Sequence, residues 1–159
     1  MYGVAPAADG DGDVTATHPV RPAGPPVVRV GQLAIDGDLI FLVTSVDRSK
    51  IAGDPVNSCT QATAQGVFLT AHLRMTNTGT QRRVIFAVDQ KLKVNDTVYR
   101  VDGAAALRTR ATELVVVPGA CVSAVWSFDV PADTPLRGAL ELHESSTSPG
   151  VDVTFPPPN

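Results

Sequence analysis

The chain has 159 residues, enough for one domain with tails, and its 13 Lys and Arg against 16 Asp and Glu leave a formal charge of −3. That balance offers no basic field to nucleic acid, and no apolar run approaches the ~20 residues of a membrane-crossing helix. Aromatics make up only 5% of the chain, so a core must come mainly from Val, Leu, Ile and Ala.

The first 26 residues contain Asp9-Gly10-Asp11-Gly12-Asp13 and Arg21-Pro22-Ala23-Gly24-Pro25-Pro26, with almost no large apolar side chain. Such a segment cannot bury enough surface to offset its chain entropy, and a flexible, partly stiffened linker is expected over 1–26. The acidic run opens like a calcium loop, but Val20 or Pro22 stands where the bidentate Glu belongs, so a solvated linker is the better reading. Met1 is followed by neither a basic start nor an apolar stretch, which points to a mature or ectodomain segment, with room for a membrane anchor upstream.

A folded unit is expected over 27–155, and a short tail over 156–159. Gln32 to Ile35 and Leu39 to Val46, joined at Asp36-Gly37, predict a hairpin. Asp47 to Gln65 is polar, with Gly53, Pro55 and Asn57, and predicts a long loop carrying Cys59. From Gly66 to Thr76, Val67, Leu69, Ala71, Leu73 and Met75 share one face of a strand, and Phe68, Thr70, His72, Arg74 and Thr76 the other. Arg83 to Val88 reads as a strand, and 91–94 with 98–101 as a hairpin turning at Asn95-Asp96. Asp102 to Arg110 is the one place for a short helix.

Leu114 to Val117 and Val122 to Val130 are split by Pro118-Gly119. In the second run Val122, Ala124, Trp126, Phe128 and Val130 form an apolar face, which predicts a core strand holding the only Trp, with Ser127 on a solvated face. Gly138 to His143 and Val151 to Phe155 complete the series. Many short strands with turn-marked spacing define an all-β chain, an antiparallel sandwich of about seven to nine strands behind a disordered N-terminal tail.

These residues resemble the telokin-like, immunoglobulin-fold domains of unknown function of secreted proteins and lipoproteins in actinobacteria and firmicutes, a group related to the mycobacterial immunoprotective secreted antigen. Val30-Gly31 leading to Leu42-Val43-Thr44-Ser45-Val46 carries the likeness, with Gly66-Val67-Phe68-Leu69 running into Met75-Thr76-Asn77-Thr78. Leu92 with the turn to Tyr99, Val117-Pro118-Gly119 and Phe128-Asp129-Val130-Pro131 extend it over most of 27–155. The resemblance implies an immunoglobulin-like sandwich outside the cytoplasm and transfers no catalytic residue.

Cys59 and Cys121, the only cysteines, flank strand regions and lack a C-x-x-C partner, so a long-range disulfide is expected, and with it an oxidising compartment. His18, His72 and His143 are too scattered for a zinc site, and no metal or cofactor is expected. No G-x-S-x-G, H-E-x-x-H or phosphate-binding Gly loop occurs. Glu113, Glu141 and Glu144 read as solvated carboxylates, and Asn95-Asp96-Thr97 as a turn before it is a glycosylation acceptor. Phe68, His72, Arg74, Arg82 and Arg83 compose the candidate interaction surface, although the 47–65 loop could cover Phe68. The function expected is that of a non-catalytic binding head, secreted or membrane-anchored, that engages another protein or a cell-envelope component and no nucleic acid. A small-molecule or lipid carrier using the inter-sheet gap is the alternative, and a hydrolase with a site assembled by the fold comes last.

Overall fold

Period-two apolar patterning closes this chain into two facing layers. The computed structural model describes residues 25–156, so most of the expected linker over 1–26 and the final three residues lie outside the described residues. The strands are β1 (Val27–Arg29), β2 (Leu33–Asp36), β3 (Leu39–Gly53), β4 (Gln61–Asn77), β5 (Arg83–Phe86), β6 (Lys91–Val94), β7 (Thr97–Arg100), β8 (Glu113–Val116), β9 (Cys121–Val130), β10 (Gly138–Leu142) and β11 (Val151–Phe155). A short helix, α1 (Gly103–Arg108), follows β7, and 3-10 turns occupy Ser58–Thr60 and Ala87–Asp89. One sheet runs β1-β11-β10-β6-β7, a second β2-β3-β4-β9, and β5 pairs with β8 alone. Every pairing is antiparallel except β1 with β11. The architecture is therefore the expected β-sandwich, with eleven strands in place of about seven to nine. Ten of these eleven described strands stand where alternation and turn spacing put them, and the eleventh, β1, is three residues long and too short to show a period.

Inward side chains of both layers fill the space between them. Phe41, Leu69, Met75, Trp126 and Phe128 come from the four-stranded sheet, and Leu92, Leu140, Leu142 and Val153 from the five-stranded one; none exceeds 1% exposure. Trp126 is fully buried, as its alternation requires, and its indole N–H donates to the Ala111 carbonyl at 2.9 Å. The β2–β3 turn forms at Gly37, whose φ of 62° suits glycine, and the turn packs against the Glu144 carboxylate.

Three expectations fail, for one connected reason. The stretch 47–65 is not a loop, because β3 continues to Gly53 and β4 begins at Gln61, giving one long hairpin. Register slips at Val43/Ser45 and Ser49/Ile51 hide its period. The second slip brings Gln65 and Gly66 out of the ladder. Their N–H groups donate to the Asp129 carboxylate and their carbonyls accept from Lys50 Nζ, so the polar residues that resemble a loop are satisfying a bulge.

The hairpin arm and α1 then cover one end of the outward face of β4 and β9. Phe68, on that face, is fully buried in a small second core with Ala52, Ala62, Ala64 and Ala105. Thr70 and Ser127, paired across β4 and β9, are buried beside it and share a 2.8 Å hydrogen bond. Ser127 is thus not solvated and Phe68 is no contact surface. The outward face is open only beyond them.

Candidate functional site

Two polar regions remain on opposite faces of the sandwich. On the open half of the four-stranded sheet, Leu33 and Ile35 of β2 stand opposite Leu42 and Ile40 of β3. Leu33 is 59% and Ile35 58% exposed, although β2 is an edge strand. Arg74 lies opposite Leu42 on one side and Ser123 on the other, and His72 lies opposite Ser45 and Val125. The His72 Nε2 atom is 2.8 Å from Asp47 Oδ2, in an exposed pair. Thr44, His72, Arg74, Ser123 and Val125 line a shallow depression of about 300 Å³ on this face. An apolar half on β2 and β3 thus borders a polar, basic half on β4 and β9.

The remaining candidate residues disperse. Arg82 is exposed before β5. Arg83, on the separate β5–β8 pair, is held by Asp38 Oδ2 at 2.7 Å and Glu144 Oε1 at 3.3 Å, so it braces the β2–β3 turn. His72 and Arg74 alone of the five stay together on open surface.

Cys59 and Cys121 are both exposed and free, which corrects the expected disulfide. Cys59 precedes Gln61 at one end of β4, whereas Cys121 faces Thr76 at the other end. Fifteen steps of strand at roughly 3.3 Å per residue put about 45–50 Å between those ends, while a disulfide holds its Cα atoms within about 7 Å. The sequence shows that each cysteine borders a strand but not that they border the same strand at opposite ends.

The opposite face carries an ion network that the sequence reading missed. Lys93 Nζ lies 2.7 Å from Asp152 Oδ2 and 3.2 Å from Glu141 Oε1. Glu141 Oε2 also meets His143 Nε2 at 2.5 Å. Burial opposes ionisation of Glu141 and is the largest single influence, but hydrogen bonds from His143 and Lys93 with their charges outweigh it and lower its pKa. For Lys93 burial is again the largest influence and opposes its charge, yet hydrogen bonds and charge from Asp152 and Glu141 raise its pKa. Glu141 is thus not a solvated carboxylate, and its i, i+2 spacing from the buried His143, just past the end of β10, was the available signal. Glu144 is also not a free carboxylate, since it accepts from the Asp38 N–H and pairs with Arg83. Glu113 alone of the three stays exposed.

Ser148, His143 and Glu141 fall in the order of a hydrolase triad, but their hydrogen bonds are wrong for one. The Ser148 hydroxyl donates its proton to Asp36 Oδ2 at 2.6 Å, and the ring nitrogen facing it, Nδ1, points at the Ser148 carbonyl at 3.1 Å. A nitrogen that donates to a carbonyl cannot act as base toward the hydroxyl. Among the described residues, no three His, Cys, Asp or Glu side chains gather to hold a metal. No helix among them is long and apolar enough to cross a membrane.

The described residues thus form a β-sandwich with open polar faces. The family model described as a domain of unknown function, DUF4352, matches residues 28–150, and the chain belongs to that family. No curated protein matches it. Among solved structures it is similar to the yjhA protein of Bacillus subtilis, at 16% identity over 81% of this chain and 99% of that one, with a TM-score of 0.57. It is also similar to MPT63, a secreted protein of Mycobacterium tuberculosis, at 15% identity over 85% and 99% of the two chains, TM-score 0.55. A third likeness is to an uncharacterized β-sandwich protein of Clostridium difficile, at 13% identity over 87% and 100%, TM-score 0.53. At these identities the likeness is one of fold.

Proposed function

We propose that this domain is a non-catalytic binding module that works outside the cytoplasm, and that it engages a protein or cell-envelope partner through the open half of its four-stranded sheet. One observation carries the reading. Leu33 and Ile35 are more than half exposed on an edge strand, in one plane with Ile40, Leu42, His72 and Arg74. Large aliphatic side chains grouped on an open sheet and bordered by charge fit a contact surface better than a solvated one. The secreted character of MPT63 supports the location, which no longer draws on a disulfide. The narrower likeness to telokin-like immunoglobulin domains belongs to the same proposal. The carrier alternative is disfavoured by the filling of the inter-sheet space with Phe41, Trp126 and Phe128.

A photo-crosslinking residue placed at position 33 or 35, in cells of the native host, tests the surface. Discrete adducts from those positions, and none from position 98 on the other sheet, are expected. Equal adducts from position 98, or no adduct from 33 and 35, reject the surface. Recovery of the protein from the cytosolic fraction alone rejects the location.

A further inference from the structure

The five-stranded sheet ends in a cleft of about 220 Å³ lined by Val88, Asp89, Lys91, Arg100, His143 and Ser146. We propose that this cleft is a binding site for a small oxyanion, a phosphate or carboxylate group, held by Arg100 and Lys91 beside His143.

Two positive groups converge there, and both are poorly neutralised by the protein. Arg100 and Lys91 face each other across β7 and β6. The Arg100 guanidinium is steadied by the Val88 carbonyl, which accepts from Nη1 at 3.2 Å, and no carboxylate among the described residues forms an ion pair with it. A guanidinium offers five N–H donors in a planar fork, and one carbonyl leaves most of that fork unused. Lys91 Nζ is 3.9 Å from Glu141 Oε2, too far for a hydrogen bond, and that oxygen is already taken by His143.

His143 forms the wall beside them. The residue is 8% exposed, and both ring nitrogens point at groups that accept, Glu141 Oε2 and the Ser148 carbonyl. The ring packs over Gly150, where a larger residue would collide with it. The peptide N–H of His143 donates to Gln90 Oε1 at 2.7 Å, and Gln90 Nε2 donates to the His143 carbonyl at 3.0 Å, so the wall is rigid. Gln90 itself is fully buried.

Among the described residues, opposing charge at the cleft is limited to Asp89 in the lining and Glu141 behind it. Glu141 is already shared by His143 and Lys93, so Asp89 is the one acid that an entering anion would meet. Ser146 is exposed in the same lining and places a hydroxyl donor beside the cations. The fork of Arg100, the ammonium of Lys91 and this hydroxyl match a tetrahedral or planar oxyanion in number and kind of donor. The cleft lies on the sheet opposite Leu33 and Ile35, so it is independent of the partner surface and of its test.

Nitrogen-15 amide spectra recorded during titration with sodium phosphate, and separately with sodium acetate, at constant ionic strength test the site. Saturable shifts with a millimolar Kd, confined to residues 88–91, 100 and 143–148, are expected for at least one anion, and the tighter of the two identifies the group preferred. Arg100→Gln and Lys91→Gln should each weaken binding about tenfold, consistent with loss of one charge-assisted hydrogen bond. Both side chains are peripheral to the core, and an unchanged Trp126 emission spectrum will confirm folding. Shifts that stay linear in anion concentration, or that persist undiminished in the Arg100→Gln, Lys91→Gln double variant, would mean an adventitious ion only and overturn the proposal.

Discussion

At the scale of single residues, Trp126 and Ser127 show what alternation can and cannot establish. Their side chains leave β9 on opposite faces, yet both are buried, Trp126 between the sheets and Ser127 beneath the arm and α1. Trp126→Ala is expected to cost about 3–5 kcal/mol in urea unfolding, as large aromatic truncations in cores do. Ser127→Ala should cost about 1–3 kcal/mol, because it strands the buried Thr70 hydroxyl. A loss below about 0.5 kcal/mol for Ser127→Ala would mean that the second face is solvated after all. The same limit explains Phe68. Period two places its face, but what covers that face is set by how the arm over 52–64 folds back and by Ala105 of α1, which alternation within β4 does not show. A replacement of both Thr70 and Ser127 by apolar residues of similar shape should be milder than either single change, since no partner is then left unsatisfied.

Among the elements, those with simple periods were legible and the interrupted one was not. The inward face of β4, the β2–β3 and β6–β7 hairpins, α1 and the last two strands stand where apolar spacing and turn residues put them. The arm was lost because Gly53, Gln65 and Gly66 combine bulge chemistry with loop-like composition. Of the candidate surface, only His72 and Arg74 were legible, because only they belong to a regular strand that remains open. The second core that fastens the arm consists of one Phe and four Ala, so it buries little area and should open before the rest. Phe68→Ala is therefore expected to accelerate amide exchange at 51–53 and 61–64 while leaving protection at Leu140 and Val153 unchanged. Uniform acceleration across both sheets would show that the arm does not open separately. Free thiols give the companion test. Native, unreduced protein should titrate two thiols per chain with a water-soluble disulfide reagent, and zero would restore the bridge that the geometry denies.

For the molecule as a whole, buried and half-buried charges connect what the two apolar layers alone would leave loose. Asp36, at the end of β2 and 2% exposed, accepts from the N–H groups of Glu144 and Gly150 and from the Ser148 hydroxyl, fastening the β10–β11 loop to the opposite sheet. Across the outer face of the five-stranded sheet, Lys93, Glu141, Asp152 and His143 join β6, β10 and β11. This second network makes stability depend on pH in a direction that can be worked out. Glu141 has a pKa lowered from its ordinary 4.5, so the unfolded chain binds its proton first as pH falls. Its contribution is complete above that value and disappears as pH drops through the lower, folded-state pKa. Lys93 has a pKa raised from 10.5, so its contribution is complete below 10.5 and disappears as pH rises through the higher, folded-state value. Stability measured by urea unfolding should therefore decline at both extremes. Glu141→Gln should remove part of the acid-side decline and lower the plateau between, because the carboxylate no longer meets Lys93 and His143. Lys93→Met should remove part of the alkaline-side decline and leave Glu141 and Asp152 with one cation fewer. If Glu141→Gln gave an acid limb parallel to that of the native protein, the acid response would belong to other carboxylates, and the network would be a surface ladder without weight in folding.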